Sequence, residues 1–371
     1  MLYLRYLLVF VPLAVVAELL AWNPLLIFFF SCIALVPLAG LLGEATEELA
    51  IHTGPKIGGL LNATLGNAAE LIITIVALSA GKLDLVKASI TGSILGNLLL
   101  ILGASLLLGG LKNGVQRFDR NLASISATMM TLAVIGLIIP TLFEIVHEIQ
   151  IGRVDLFNTN VGDPALNTLS LGVAGILIVL YILSLIFTFQ TPQREEHSGV
   201  EDHGEEETAH KARWSIPMSA GVLAASTVAI VFLSEFLVGA VEPVVASLGV
   251  SELFLGVIII PIVGNVAEHI VGVQVAWKNK MDLSLSISLG SSMQVALFVA
   301  PLLVFVSLLF GPEMTLFFSL FEVAALTLAV FSATLVSVDG ESNWLEGAQL
   351  LAVYLIVGLG FYFTGTVAPN Q

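Results

Sequence analysis

Apolar runs of about twenty residues, the length needed to cross roughly 30 Å of hydrocarbon, recur along the whole chain between short polar breaks. They predict eleven helices, over 2–21, 24–43, 57–80, 88–110, 121–146, 166–189, 214–238, 253–276, 284–310, 314–337 and 346–366. The first run has only Arg5 as its charged start, is too long for the apolar core of a signal peptide, and is followed by no small-x-small cleavage site, so it reads as a retained span. Two stretches lack apolar periodicity, 151–164 and 193–211, and read as solvated connections.

Inside this apolar background one pattern occurs twice. Gly66 to Glu70 spells GNAAE and Gly264 to Glu268 spells GNVAE. The offset from Glu70 to Glu268 is 198 residues, and it holds without a gap for about fifty, pairing Lys82 with Lys280, Asp84 with Asp282 and Gly92-Ser93 with Gly290-Ser291. Glu44 in the second run and Glu242 after the seventh share that offset. The chain is an internal duplication, and each copy carries an ionisable residue at membrane depth, where it marks a binding site by default.

Composition agrees with the helices and removes other classes. Apolar residues make up 57% and charged residues 11%, and mean hydropathy is +1.01; soluble domains carry about a quarter charged residues. Cys32 is the only cysteine, so neither a disulfide framework nor a cysteine metal cluster can form within one chain. Net charge is −15, but seven of the 28 acids lie between Glu195 and Glu207, so the total says little about partners. Thirteen scattered Lys and Arg make no basic face for nucleic acid. The motifs of intramembrane hydrolases, HExxH and GxGD, are missing, and a transporter rather than an enzyme is expected. Asn62-Ala63-Thr64 matches a glycosylation pattern, yet lies within a span.

Basic residues set the orientation. With the N-terminus on one side, that side holds Arg5, Lys56, Lys112, Arg117, Arg120, Arg194, Lys211, Arg213, Lys278 and Lys280, against Lys82, Lys87 and Arg153 on the other. The N-terminus is therefore expected in the cytoplasm, and the acidic segment with it. The two GNxxE copies fall five spans apart and cross in opposite directions. The expected fold is an all-α polytopic membrane protein of about eleven transmembrane helices: an extra N-terminal helix (1–22), a first five-helix repeat (23–190), a cytoplasmic acidic linker (191–213) and an inverted second repeat (214–371). Inverted repeats of this kind build alternating-access transporters around a central site.

The chemistry of the site follows from its side chains. Asn67 and Glu70 are three apart and share a helix face, as do Asn265 and Glu268. Gly66 and Gly264 lower helix propensity by about 1 kcal/mol relative to Ala, which permits unwinding and inward-turned carbonyls, and Pro261 adds a break to the eighth span. The following spans contribute Ser93 and Asn97 in one copy and Ser291 and Gln294 in the other. All are hard oxygen ligands, suited to Ca²⁺ with about 6–8 donors at about 2.3–2.6 Å; Mg²⁺ fits less well, and Mn²⁺ is harder to set aside. One carboxylate at the bilayer centre costs roughly 2.5–3.5 kcal/mol. Two protons or one divalent cation neutralise Glu70 and Glu268 equally, and competition between them is an exchange mechanism in outline.

These residues resemble the CAX-type cation/proton antiporters of the calcium/cation exchanger superfamily. The resemblance rests on GGLLNATLGNAAELIITIVAL (58–78), KASITGSILGN (87–97) and PIVGNVAEHIVGVQVAWKNKMDLSLSISLGSSMQVALF (261–298). It implies Ca²⁺/H⁺ exchange without a bound cofactor, Glu70 and Glu268 as the central carboxylates, Asn265, Ser291 and Gln294 lining the site, and ten core helices plus one. It also likens the linker to the family's acidic helix, linked to calcium handling, with Glu195, Glu196, Glu201, Asp202, Glu205, Glu206 and Glu207 as the regulatory candidates beside His197, His203 and His210. Gly199 and Gly204 weigh against one continuous helix there.

Several roles stay open at this level. His269, where the other copy has Leu71, is either a proton shuttle or a packing residue. Asn67 and Asn265 either ligate or cap broken helices, and Glu44, Glu47, Glu48, Glu235 and Glu242 either line a path or sit at wet helix ends. A Na⁺-driven exchanger would carry a GNxPE-like motif, whereas residues 69 and 267 are Ala. A passive channel and homo-oligomerisation are both open. The short connections point to a prokaryotic plasma membrane, with a vacuolar-type membrane as the alternative.

Overall fold

The structure is a computed structural model that describes residues 2–150, 163–190, 212–310 and 312–366. The loop 151–162 and most of the acidic linker, with all its candidate acids and histidines, lie outside the described residues. The helices are α1 (Phe10–Leu19, after a 3-10 run Leu2–Val9), α2 (Pro24–Gly54), α3 (Ile57–Leu65 and Ala68–Ser79), α4 (Leu83–Asn113), α5 (Arg120–Gln150), α6 (Pro164–Gln190), α7 (Ile216–Leu248), α8 (Glu252–Trp277), α9 (Met281–Phe310), α10 (Leu320–Ser337) and α11 (Trp344–Thr366).

Among the described residues, nine of these are long and apolar enough to cross a membrane, and α3 makes a tenth as one span bent by 41°. The expected eleventh differs: the N-terminal run is divided between 3-10 and α geometry, so no continuous α-helix of span length forms there. The ends of several helices also differ from the hydropathy reading. Helix α7 runs on to Leu248 and so contains Glu242, and α4 begins at Leu83 and contains Lys87. Apolar runs under-measure helices whose wet ends are polar but still helical.

Local chemistry explains the stops. Asn23 caps α2 by accepting from the Leu25 N–H at 2.9 Å, with Pro24 at the first helical position. Gly114 and Gly249 end α4 and α7 with φ of 77° and 67°, a region open to glycine without steric cost. Ser319 and Glu322 form a reciprocal capping box at the start of α10.

Packing between the halves is reciprocal. Helix α2 lies along α7, its counterpart, and α5 against α10; α11 packs on α4 as α6 does on α9, and α5 on α9 as α10 does on α4. Each half therefore covers the other, and one shared core runs through both. A π-helical turn occupies 96–101 in α4 and Val295–Val299 in α9, matching positions under the offset. Such turns widen a helix by one residue and are frequent at functional sites.

Candidate functional site

The helix of the first motif is broken and that of the second is not. In α3 the chain bends between Leu65 and Ala68, Asn67 has φ −101° and ψ 28°, and Glu70 sits in the first turn of the new segment. In α8 the α-helix runs without interruption from Ile260 through Gly264 to Trp277. Neither the unwinding expected at Gly264 nor the break expected at Pro261 occurs. The reason lies just upstream, where a π-helical turn at Leu255–Ile259 hands over to α-helix at Ile260, so that Pro261 falls near the start of the α segment, where a missing N–H is tolerated.

Four segments then meet. Glu70 is buried and accepts from the Ser93 hydroxyl of α4 and the Asn265 amide of α8. The Asn97 amide donates to Ser291 at 3.0 Å, and the Ser291 hydroxyl donates to Asn67 at 2.9 Å, so the two halves are joined by a hydrogen-bonded chain. Glu268 lies close enough to Glu70 and Ser291 to interact with both. Asn67 makes no side-chain cap, so capping does not explain it; Asn265 is within a helix and faces Glu70 instead. Gly264 permits this approach, since a Cβ there would stand 3.3 Å from Glu70 Cγ.

Polar atoms at the centre are only partly satisfied. Among the described residues, Glu70 Oε2, Glu268 Oε2 and Asn97 Oδ1 are buried acceptor oxygens with no hydrogen-bond partner. Leaving one such group without a partner costs about 1–3 kcal/mol. Replacing Ser93 with Ala removes one of the two donors to Glu70 Oε1 and leaves Asn265 as the other. We expect this variant to lose roughly tenfold in apparent cation affinity with expression unchanged, measured by concentration-dependent uptake.

Other candidates fall nearby or elsewhere. Gln294 donates to the Ala63 carbonyl, which also receives the Tyr181 hydroxyl, and a Cβ on Gly66 would stand 3.3 Å from Gln294 Oε1. Gln294 thus braces the break in α3 and does not hydrogen-bond a carboxylate. His269 Nε2 is buried without a partner and does not enter the network. Glu44 pairs with Arg5 at 2.9 Å, and Glu48 accepts from the Arg213 and Trp214 backbone N–H groups at 2.7 and 3.1 Å, fastening α2 to the start of α7. Glu47 is exposed. Glu235 and Glu242 line a cleft of about 400 Å³ beside Lys82. The hydrogen bond to Glu242 raises the Lys82 pKa, so that pair stays ionised at neutral pH.

Three residues escaped the sequence reading. Tyr181 packs its ring on Phe298 at 5.3 Å. Glu322, 3% exposed, accepts from Thr91 at 3.0 Å and faces Lys87, itself 3% exposed and counted above with a loop. The available signal was the pattern Ser319-x-x-Glu322, a capping box, which placed a carboxylate at a helix start without saying that the start is buried.

A multi-pass helical bundle with facing carboxylates from two duplicated motifs defines a membrane ion transporter. The sodium/calcium exchanger protein family matches residues 23–190 and 218–363, and this chain belongs to it. The chain is 43% identical to a Ca(2+)/H(+) antiporter of Aphanothece halophytica over 96% of its length and 95% of the relative's, and 41% identical to the Ca(2+)/H(+) antiporter ChaA of Bacillus subtilis over 95% and 96%. Its fold superposes on native YfkE with a TM-score of 0.81 at 38% identity, covering 97% of this chain and 99% of that one.

Proposed function

We propose that this protein is a secondary antiporter that moves Ca²⁺ out of the cytoplasm against inward H⁺, with Glu70 and Glu268 taking either the cation or protons at the membrane midplane. The observation that carries the reading is the set of buried, unpartnered oxygens on Glu70, Glu268 and Asn97. A divalent cation neutralises both carboxylates and gives these oxygens a partner, and two protons do the same. Asn67, Asn265, Ser93 and Ser291 complete or position the shell, and the remaining ligands are backbone carbonyls or water. The names of the two bacterial relatives support the same ions.

The offset and the reciprocal packing support two repeats of opposite direction, 23–190 and 214–371, joined by the acidic linker. With the N-terminus in the cytoplasm of a bacterial cell, the start of α4 faces outside and the start of α9 faces inside. Packing is tight on the outer side, where Gly92 lies against Val257 and Pro261, and open at the equivalent Gly290. That asymmetry supports a conformation closed to the outside.

Purified protein in proteoliposomes with a pH gradient and no Na⁺ tests the reading. We expect Ca²⁺ uptake that collapses when the gradient is dissipated, with Mn²⁺ as a weaker competitor. Uptake that requires Na⁺, or that runs downhill without proton counter-flow, refutes it. Deleting 195–210 is expected to preserve exchange in the same assay while altering its calcium dependence; complete loss in correctly inserted protein would place the linker in the pathway.

A further inference from the structure

On helices that supply no hydrogen bond to the central carboxylates, the end of α5 and the start of α6 bring together Glu144, His147 and Asp163, whose candidate ligand atoms all lie within 4.8 Å of one another. Glu144 and His147 are three apart and share a helix face, an arrangement that aims both side chains at one point. Asp163 comes from the residue just before α6. Its Oδ1 accepts from the Ala165 N–H at 2.8 Å and caps that helix, which leaves Oδ2 to face His147 Nδ1 at 2.8 Å.

Glu144 makes the cluster more than a surface ion pair. It is 1% exposed, and neither of its oxygens has a hydrogen-bond partner among the described residues. His147 Nδ1 and Asp163 Oδ2 are close but not aligned as a hydrogen bond. Glu148 adds negative charge on the same helix. A buried carboxylate without a donor, next to an imidazole nitrogen and a second carboxylate, is costly unless something positive joins them.

We propose that Glu144, His147 and Asp163 form a Zn²⁺ site that clips the end of α5 to the start of α6. One imidazole and two carboxylates are a three-ligand set that Zn²⁺ accepts, with water in the fourth position. The imidazole separates this site from the transport centre, because Ca²⁺ and Mg²⁺ take oxygen ligands. The central site offers carboxylates, amides and hydroxyls only, so the two places select different ions. In the orientation proposed above the clip faces outside, but the metal assignment stands without that orientation.

The test uses the full chain in detergent with His197, His203 and His210 changed to Ala, so that the linker cannot hold the metal, after stripping with a chelator. Zn²⁺ bound per chain is measured by elemental analysis, and affinity by competition with a chromophoric chelator. His147→Ala is expected to remove one equivalent of Zn²⁺, and the isosteric Glu144→Gln to weaken binding roughly tenfold or more, on the scale by which altered zinc shells lose affinity. A thousandfold excess of Ca²⁺ should leave the bound Zn²⁺ in place, and Zn²⁺ should raise the melting temperature of the background protein but not of His147→Ala. Equal Zn²⁺ content in the background protein and His147→Ala overturns the proposal, as does displacement by Ca²⁺ at comparable concentration.

Discussion

Glu70→Gln is expected to reduce proton-driven Ca²⁺ uptake to the level of empty liposomes. The substitution preserves shape, and the amide oxygen can still accept from Ser93 and Asn265, so the site should fold as before. What it loses is charge and titration. At about 4 Å and an effective dielectric constant of about 20, one unit pair contributes about 4 kcal/mol, which corresponds to about a thousandfold in cation affinity. The remaining carboxylate, Glu268, can discharge only one proton, so a divalent ion would leave an uncompensated positive charge in the interior. Glu268→Gln should fail equally, although its carboxylate has fewer donors than Glu70. Initial rates of uptake, with insertion checked by gel filtration, decide the matter. Near-normal transport in either variant removes that carboxylate from the mechanism.

Most of the fold was legible because the bilayer imposes one dominant rule, that each span be long and apolar, and hydropathy alone located α2 through α11. The centre was legible for a related reason: a carboxylate within an apolar run needs a partner, and the duplication supplied Glu268 for Glu70. What stayed hidden depends on tertiary packing. The GNAAE and GNVAE segments are nearly identical, yet only the first is bent, because the bend is held by Gln294 and Tyr181 converging on the Ala63 carbonyl. Lys87 read as a loop charge and Glu322 drew no notice in the sequence, yet α4 and α10 pack together and bury both. The π-helical turns near Asn97 and Val295 leave no mark in composition. The Glu144-x-x-His147 spacing was visible but became meaningful only when α6 brought in Asp163.

Gly92→Ala should damage both folding stability and exchange, although it touches no ion. A Cβ at Gly92 would lie 2.1 Å from the Val257 carbonyl oxygen and 2.5 Å from Pro261 Cγ, and one of these is backbone that cannot rotate aside. Helices in membranes approach closely through small residues, and forcing a methyl group into such a contact costs about 1–3 kcal/mol. The α4 and α8 segments that would be pushed apart carry Ser93 and Asn265, the two donors to Glu70, so both stability and exchange should fall, the latter by roughly tenfold or more. Gly290 provides the discriminating comparison. It occupies the same place in the second copy, but a Cβ there meets no atom within 4 Å, so Gly290→Ala should leave the melting temperature unchanged. If the two halves trade packing as the site changes sides, Gly290 must enter the tight contact that Gly92 makes in this conformation, and Gly290→Ala should slow exchange without destabilising the protein. Wild-type turnover in Gly290→Ala would mean that the second half never closes as the first does, and that access to Glu70 and Glu268 is controlled by some motion other than a reciprocal exchange of these contacts.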